Sequence, residues 1–108
     1  VGKISARELE NFLTPVIKTT GSTYTAAAWE AVLVKLAVLG TFAVTLPTAP
    51  QAGAIVYIKD ANNDATNHNI TVLPGGSDTI EGDTSLLMTL NRMSITLMYD
   101  GVSAWYLI

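Results

Sequence analysis

The sequence predicts an all-β fold, a single antiparallel β-sandwich with a jelly-roll-like path as one version of it, and two observations carry that prediction. The first is the stretch from Ala54 to Ile108. It reads as Ile55 to Ile58, Asn69 to Val72, Leu86 to Leu90, Ser94 to Tyr99 and Ala104 to Ile108, each rich in β-branched or aromatic residues and each fenced by Gly, Pro, Asn or Asp. The second is alternation before it, where Phe42, Val44 and Leu46 take turns with Thr41, Ala43 and Thr45 until Pro47 stops the run.

Each element follows from its local chemistry. Ser5-Ala6-Arg7-Glu8 has the spacing of a capping box, with Ile4 and Leu9 at the staple positions, which predicts a helix from about Ala6 to Leu13 stopped by Pro15. About two turns of helix are marginal alone. The apolar residues Leu9, Phe12 and Leu13 therefore need a surface, in their own domain or on a neighbouring subunit. Thr19 to Thr25, centred on Gly21, reads as an extended arm, so that residues 1–24 form an arm with a short helix and residues 25–108 the sandwich domain. From Ala26 to Leu39 the residues alone are ambiguous. Trp29, Val32, Leu33 and Leu36 share a helical face, yet the β-branched content suits a buried strand equally well.

Ala54 to Ile58 is an almost unbroken apolar run, which predicts burial on both faces, one of them against a subunit or the helix. Ile70 and Val72 share a face, Ile80 anchors an otherwise polar loop, and Leu86, Met88 and Leu90 are expected to point inward. Asn91-Arg92 turns the chain. Ile95, Leu97 and Tyr99 then line one face, and Asp100-Gly101 predicts a tight type I′ hairpin into the strand of Trp105 and Leu107. No fixed-period repeat is visible, which argues against a solenoid or propeller.

Composition narrows the function. At 108 residues the chain makes one domain able to bury roughly two thirds of its unfolded surface. Charged residues are 14% of the chain, against about a quarter in an ordinary soluble domain, and mean hydropathy is +0.36. Little charge is left to solvate a monomer, so an oligomer is expected. The longest apolar run, Ala31 to Leu39, is broken by Lys35 and falls short of the ~20 residues of a membrane-spanning helix. With a net charge of -3 and six basic residues scattered singly, there is no stripe for phosphates, and no nucleic acid or membrane partner is expected. The chain has no cysteine, which excludes disulfides and thiolate metal sites. No basic-apolar leader pattern opens the sequence.

Candidate chemistry is sparse. His68, the sole histidine, has no second histidine or cysteine with which to share a metal or build a triad, so it is expected to be a solvated loop residue. Asp60-Ala61-Asn62-Asn63-Asp64 begins like a calcium loop, but Ala65 replaces the glycine and Thr71 the glutamate that such a loop requires. Asx turns explain that composition more simply. Asp78, Glu81 and Asp83 supply paired carboxylates of the kind a glycosidase uses, without any sign of a cleft. Trp29 and Trp105 could stack on a sugar, though an aromatic on an alternating strand is more often core. No catalytic residue, cofactor or metal ligand is assigned, and an enzyme is not expected.

The ordered set Phe42-Ala-Val-Thr-Leu-Pro47, Ile58-Lys-Asp60, Asn69-Ile-Thr-Val72, Asp78-Thr-Ile-Glu-Gly82 and Asp100-Gly101 with Trp105 resembles a β module of tailed-bacteriophage virion proteins. Such modules occur in head decorations, head fibres and tail fibres, typically as trimers. The likeness covers roughly Thr25 to Ile108. It implies a strand at about Ala31 to Val38 leading into the Phe42 strand, and Asp60, which at a strand end can cap the turn after it, supports the likeness on physical grounds. It also implies a structural role on the virion surface: a homotrimeric capsid decoration or head-fibre base, attached to the major capsid protein or another virion protein through the N-terminal arm. A short self-contained chain suits the head. The alternative is the receptor- or glycan-binding domain of a tail fibre. Candidate attachment or interface residues are Ile4, Leu9, Phe12, Leu13, Ile55 and Tyr57.

Overall fold

A computed structural model describes residues 12–108, and it folds them into ten strands in two sheets, with no helix among the described residues. The strands are β1 (Thr14–Lys18), β2 (Thr23–Thr25), β3 (Glu30–Val34), β4 (Phe42–Thr45), β5 (Ile55–Asp60), β6 (Ile70–Leu73), β7 (Thr79–Ile80), β8 (Leu86–Met88), β9 (Ser94–Tyr99) and β10 (Ala104–Leu107). Sheet A runs β1-β3-β5-β9-β10-β7 and sheet B runs β2-β4-β6-β8. The all-β, two-sheet architecture expected from alternation is present.

Its pairing is not the antiparallel one predicted. From β1 to β6 the chain alternates between the sheets, so β1, β3 and β5 lie parallel in sheet A while β2, β4 and β6 lie parallel in sheet B. This is a two-sheet coil of three turns. The chain then reverses, with β8 antiparallel to β6 and β9 antiparallel to β5. The last two strands form an antiparallel pair, and β7 joins β10 in parallel. A jelly roll, being antiparallel throughout, is excluded by these parallel pairs.

Three further expectations change. The predicted helix, Ala6 to Leu13, lies largely outside the described residues, and Phe12 and Leu13, where it was to end, are bends leading into β1. The described part of the supposed arm is sheet: β1 pairs with β3 and β2 pairs with β4, so a boundary at 24/25 would cut through β2. The strand expected at Ala31 to Val38 is instead β3, ending at Val34. Lys35 N–H still bonds to Lys18 O at 2.9 Å as part of the β1–β3 ladder, and Leu36 N–H then leaves the ladder for Asn62 Oδ1 at 2.5 Å. Val38 and Leu39 are left exposed.

Pro15 falls where a missing N–H costs nothing. Thr14 N–H and Lys18 C=O both point to β3, so by alternation the backbone of Pro15 faces away from β3, off the β1 edge of sheet A among the described strands. An edge with no donor there is a poor template for another strand.

The core fills the space between the sheets. Val32, Val34, Val56, Ile58, Leu97, Tyr99 and Trp105 of sheet A meet Phe42, Val44, Ile70, Val72 and Met88 of sheet B, all at 2% exposure or less. Each large side chain so buried contributes roughly 1.5–3 kcal/mol. Leu46 and Ile80 join them from outside the central strands. Leu90, expected inward, is 65% exposed because β8 ends at Met88 and the chain has already begun its turn at Asn91-Arg92.

Candidate functional surface

Sheet register places the outward side chains of sheet A in rows. Ile17, Leu33, Lys59 and Ser94 share one; Pro15, Ala31, Tyr57 and Thr96 the next; Ile55, Met98 and Tyr106 the third. On β3, β5 and β9 these residues alternate with buried ones, so the same pleat that fills the core presents them to solvent. The rows are mostly apolar, with Ser94 and Thr96 as polar members and Lys59 as their single charged one. Its Nζ donates to the Arg92 carbonyl, which ties the amine back to the protein.

Sheet B differs in chemistry. Its outward rows are Thr23, Ala43, Thr71 and Leu87, then Thr25, Thr45 and Leu73. Hydroxyls dominate there, whereas the outer side of sheet A is mostly aliphatic and aromatic.

The interface candidates are dispersed. Ile55 and Tyr57 stand on the outer face of sheet A, half-buried by their lateral neighbours. Phe12 packs edge to face on Trp29, centroids 5.5 Å apart, and Leu13 is half-buried beside it in sequence. Ile4 and Leu9 lie outside the described residues. The sequence reading missed Ile17, Leu33, Met98 and Tyr106. Alternation around Met98 and Tyr106 was available as a signal, but Ile17 was hidden by assigning its segment to an arm.

The polar candidates are accounted for by structure. Asp60 is completely buried and its carboxylate accepts N–H groups from Asn62, Asp64 and Ala65 at 3.0 Å and from Arg92 at 3.1 Å. It caps the loop after β5, as expected of an aspartate at a strand end, and also pins the β8–β9 turn. Asn63, where a turn glycine is common, has φ of 58°. His68 is not simply solvated: its Nδ1 lies 2.5 Å from Asp64 Oδ2 across one helical turn, with the side chain 41% exposed. That bond, with help from Asn67, holds the Asp64 carboxyl below its ordinary range despite partial burial.

The acidic cluster does not converge. Glu81 accepts from Leu107 N–H at 2.8 Å, Asp83 pairs with Ile80 in a tight bridge, and Asp78 faces Tyr99, whose hydroxyl lies 3.4 Å from Oδ1. Burial, then the charges of Asp78 and Asp100, pushes the Tyr99 hydroxyl up. Trp105 is fully buried against Tyr99 with centroids 5.2 Å apart, and Trp29 packs on Phe12, so the two tryptophans form no common platform. Comparison with protein-family models and with curated proteins finds no match to this chain.

Proposed function

We propose that this chain is a structural subunit of a tailed-phage virion: a homotrimeric decoration or head-fibre base on the head surface. It would be held to the major capsid protein or another virion protein through the segment that precedes β1. The single observation behind this proposal is the apolar outer face of sheet A on a chain with so little charge. Exposed contiguous apolar surface of this kind belongs to association sites. The ordered likeness to virion β modules supplies the biological setting. A receptor- or glycan-contacting tail-fibre tip is the second reading, favoured by the exposed ring of Tyr106, which could stack on a sugar.

Electron microscopy of intact particles labelled with a gold-conjugated antibody against the chain tests the proposal. Label at regular positions on the head is the expected result. Label confined to fibre ends would transfer support to the second reading, and unlabelled particles carrying no such chain by mass spectrometry would overturn both.

A further inference from the structure

Resting on the homo-oligomer proposed above, we infer that copies of this chain associate through the outer face of sheet A, three such faces packing around a common axis rather than joining sheet edges. The occupant is a second copy for three reasons.

Area is the first. Ile17 is 58%, Tyr106 47% and Ile108 66% exposed, and Phe12 and Trp29, whose backbone lies beside Ile55, are 50% and 37% exposed. Taking ~200 Å² for a large side chain, these and the half-buried Leu33, Ile55, Tyr57 and Met98 offer roughly 600–700 Å², close to the ~800 Å² per partner of a standard interface.

Charge is the second. Lys59 is the one charged residue in the rows and its amine is engaged by the Arg92 carbonyl, while Glu81, at the β10 end of the face, has its carboxylate engaged by the Leu107 N–H. Such a face has no charge pattern to select a foreign partner. It complements another copy of itself without placing like charges opposite one another.

The third is the edge. Of the two β1 positions whose backbone faces away from β3, 15 and 17, Pro15 lacks the donor, so strand addition there would lose a ladder bond. Face packing suffers no such loss.

Sedimentation equilibrium of the full chain and its variants at micromolar concentration provides the test, with far-UV circular dichroism to confirm folding. Wild type is expected at about three times the 11.5 kDa chain mass. Ile17→Glu and Tyr57→Glu should each lower the sedimenting mass about threefold with the β spectrum unchanged, since a contact through this face would bury the new charge. Thr71→Glu, on the outer face of sheet B, should leave the mass unaltered. Ile17 is on an edge strand and exposed, so its variant tests the inference even if Tyr57→Glu fails to fold. A folded Ile17→Glu that keeps the wild-type mass, or a Thr71→Glu that alone dissociates, overturns the face assignment while the oligomer stands. A monomeric wild type overturns both.

Discussion

Gly101→Ala separates two physical effects that usually arrive together. Gly101 has φ of +86°, and a Cβ built on it would sit 2.5 Å from the Cβ of Ala52. The dihedral alone costs an L-residue about 1–2 kcal/mol. The contact adds more, since carbon atoms prefer a separation of about 3.5–4.0 Å and forced overpacking costs about 1–3 kcal/mol. Ala52 is not free to retreat, because the next residue, Gly53, donates its N–H to Tyr99 O at 2.8 Å and Tyr99 N–H donates to Ala54 O at 3.0 Å. Gly82 is the control. Its φ is +85°, yet a Cβ added there would meet nothing within 4 Å, so Gly82→Ala should cost only the dihedral term. We expect a loss of about 2–5 kcal/mol at Gly101 against about 1–2 at Gly82. In urea, that difference should lower the midpoint of Gly101→Ala by roughly 1 M more than that of Gly82→Ala. Both variants must be unfolded at one protein concentration, because an oligomer's stability depends on it. Tryptophan emission of Gly101→Ala should shift to the red if the strain loosens the Tyr99–Trp105 pair. Equal midpoints for the two variants would refute the contact with Ala52, and with it the packing of the β9–β10 loop on the 47–53 connection.

Asp60→Ala should destabilise the fold by at least about 3 kcal/mol in chemical denaturation, because it strands several buried N–H donors that share one carboxylate; a loss under about 1 kcal/mol would mean that those amides find other acceptors. Asp100 is held below its ordinary value of 3.8 by the N–H of Val102, then those of Ala104 and Ser103. A depressed folded-state value makes its contribution complete above the ordinary carboxylate range and lost as pH falls through the folded value, so the wild-type midpoint should drop between pH 5 and 2 more than that of Asp100→Asn. Asp64, lowered first by its bond to His68, has the same sign, and His68→Ala should flatten its share of that acid limb. Parallel acid profiles for wild type and variants would remove these carboxylates from the account.

What the sequence disclosed and what it concealed divide along a physical line. Alternation is local, so the inward faces of Phe42 and Val44, of Ile70 and Val72, and of Ile95, Leu97 and Tyr99 were readable before any partner strand was known. Which strand pairs with which, and in which direction, is not local. The coil of β1 to β6 escaped notice because its turns differ in length: Thr14 aligns with Glu30 sixteen residues on, and Glu30 with Val56 twenty-six residues on. Most of the excess lies between β4 and β5, where a loop with Pro47 and Pro50 intervenes. The tight hairpin expected at Asp100-Gly101 was half right. Gly101 has positive φ but Asp100 does not, and the loop runs to Ser103, closed by Asp100 N–H on Ala104 O, with the Asp100 carboxylate taking three further amides. A side chain that accepts its own loop's donors lengthens a turn in a way that dipeptide preference does not register. Of the surface, Ile55 and Tyr57 were legible because an outward position on a buried strand should be polar and theirs are not. Ile17 was not, since Pro15 beside it signals a stop to a helix and an edge to a sheet.

The reversal after β6 explains how so small a coil can close. A parallel two-sheet coil ends in two unpaired strands unless something covers them, and β8 and β9 cover β6 and β5 by coming back antiparallel. Asp60 joins the two halves at that seam, since it ends β5, caps the loop toward β6 and accepts the N–H of Arg92 just before β9. Among the described strands the sheet edges are then β1 and β7 in sheet A and β2 and β8 in sheet B, so the first turn of the coil supplies one edge of each sheet. At β1 the outward backbone positions belong to Pro15, which cannot donate, and to Ile17, whose side chain lies on the apolar face. Sheet extension is therefore discouraged at the same strand where face packing is invited. That combination suits a subunit that must meet a fixed number of copies, because edges that keep accepting strands build open fibres, whereas faces related by rotation close into a defined oligomer.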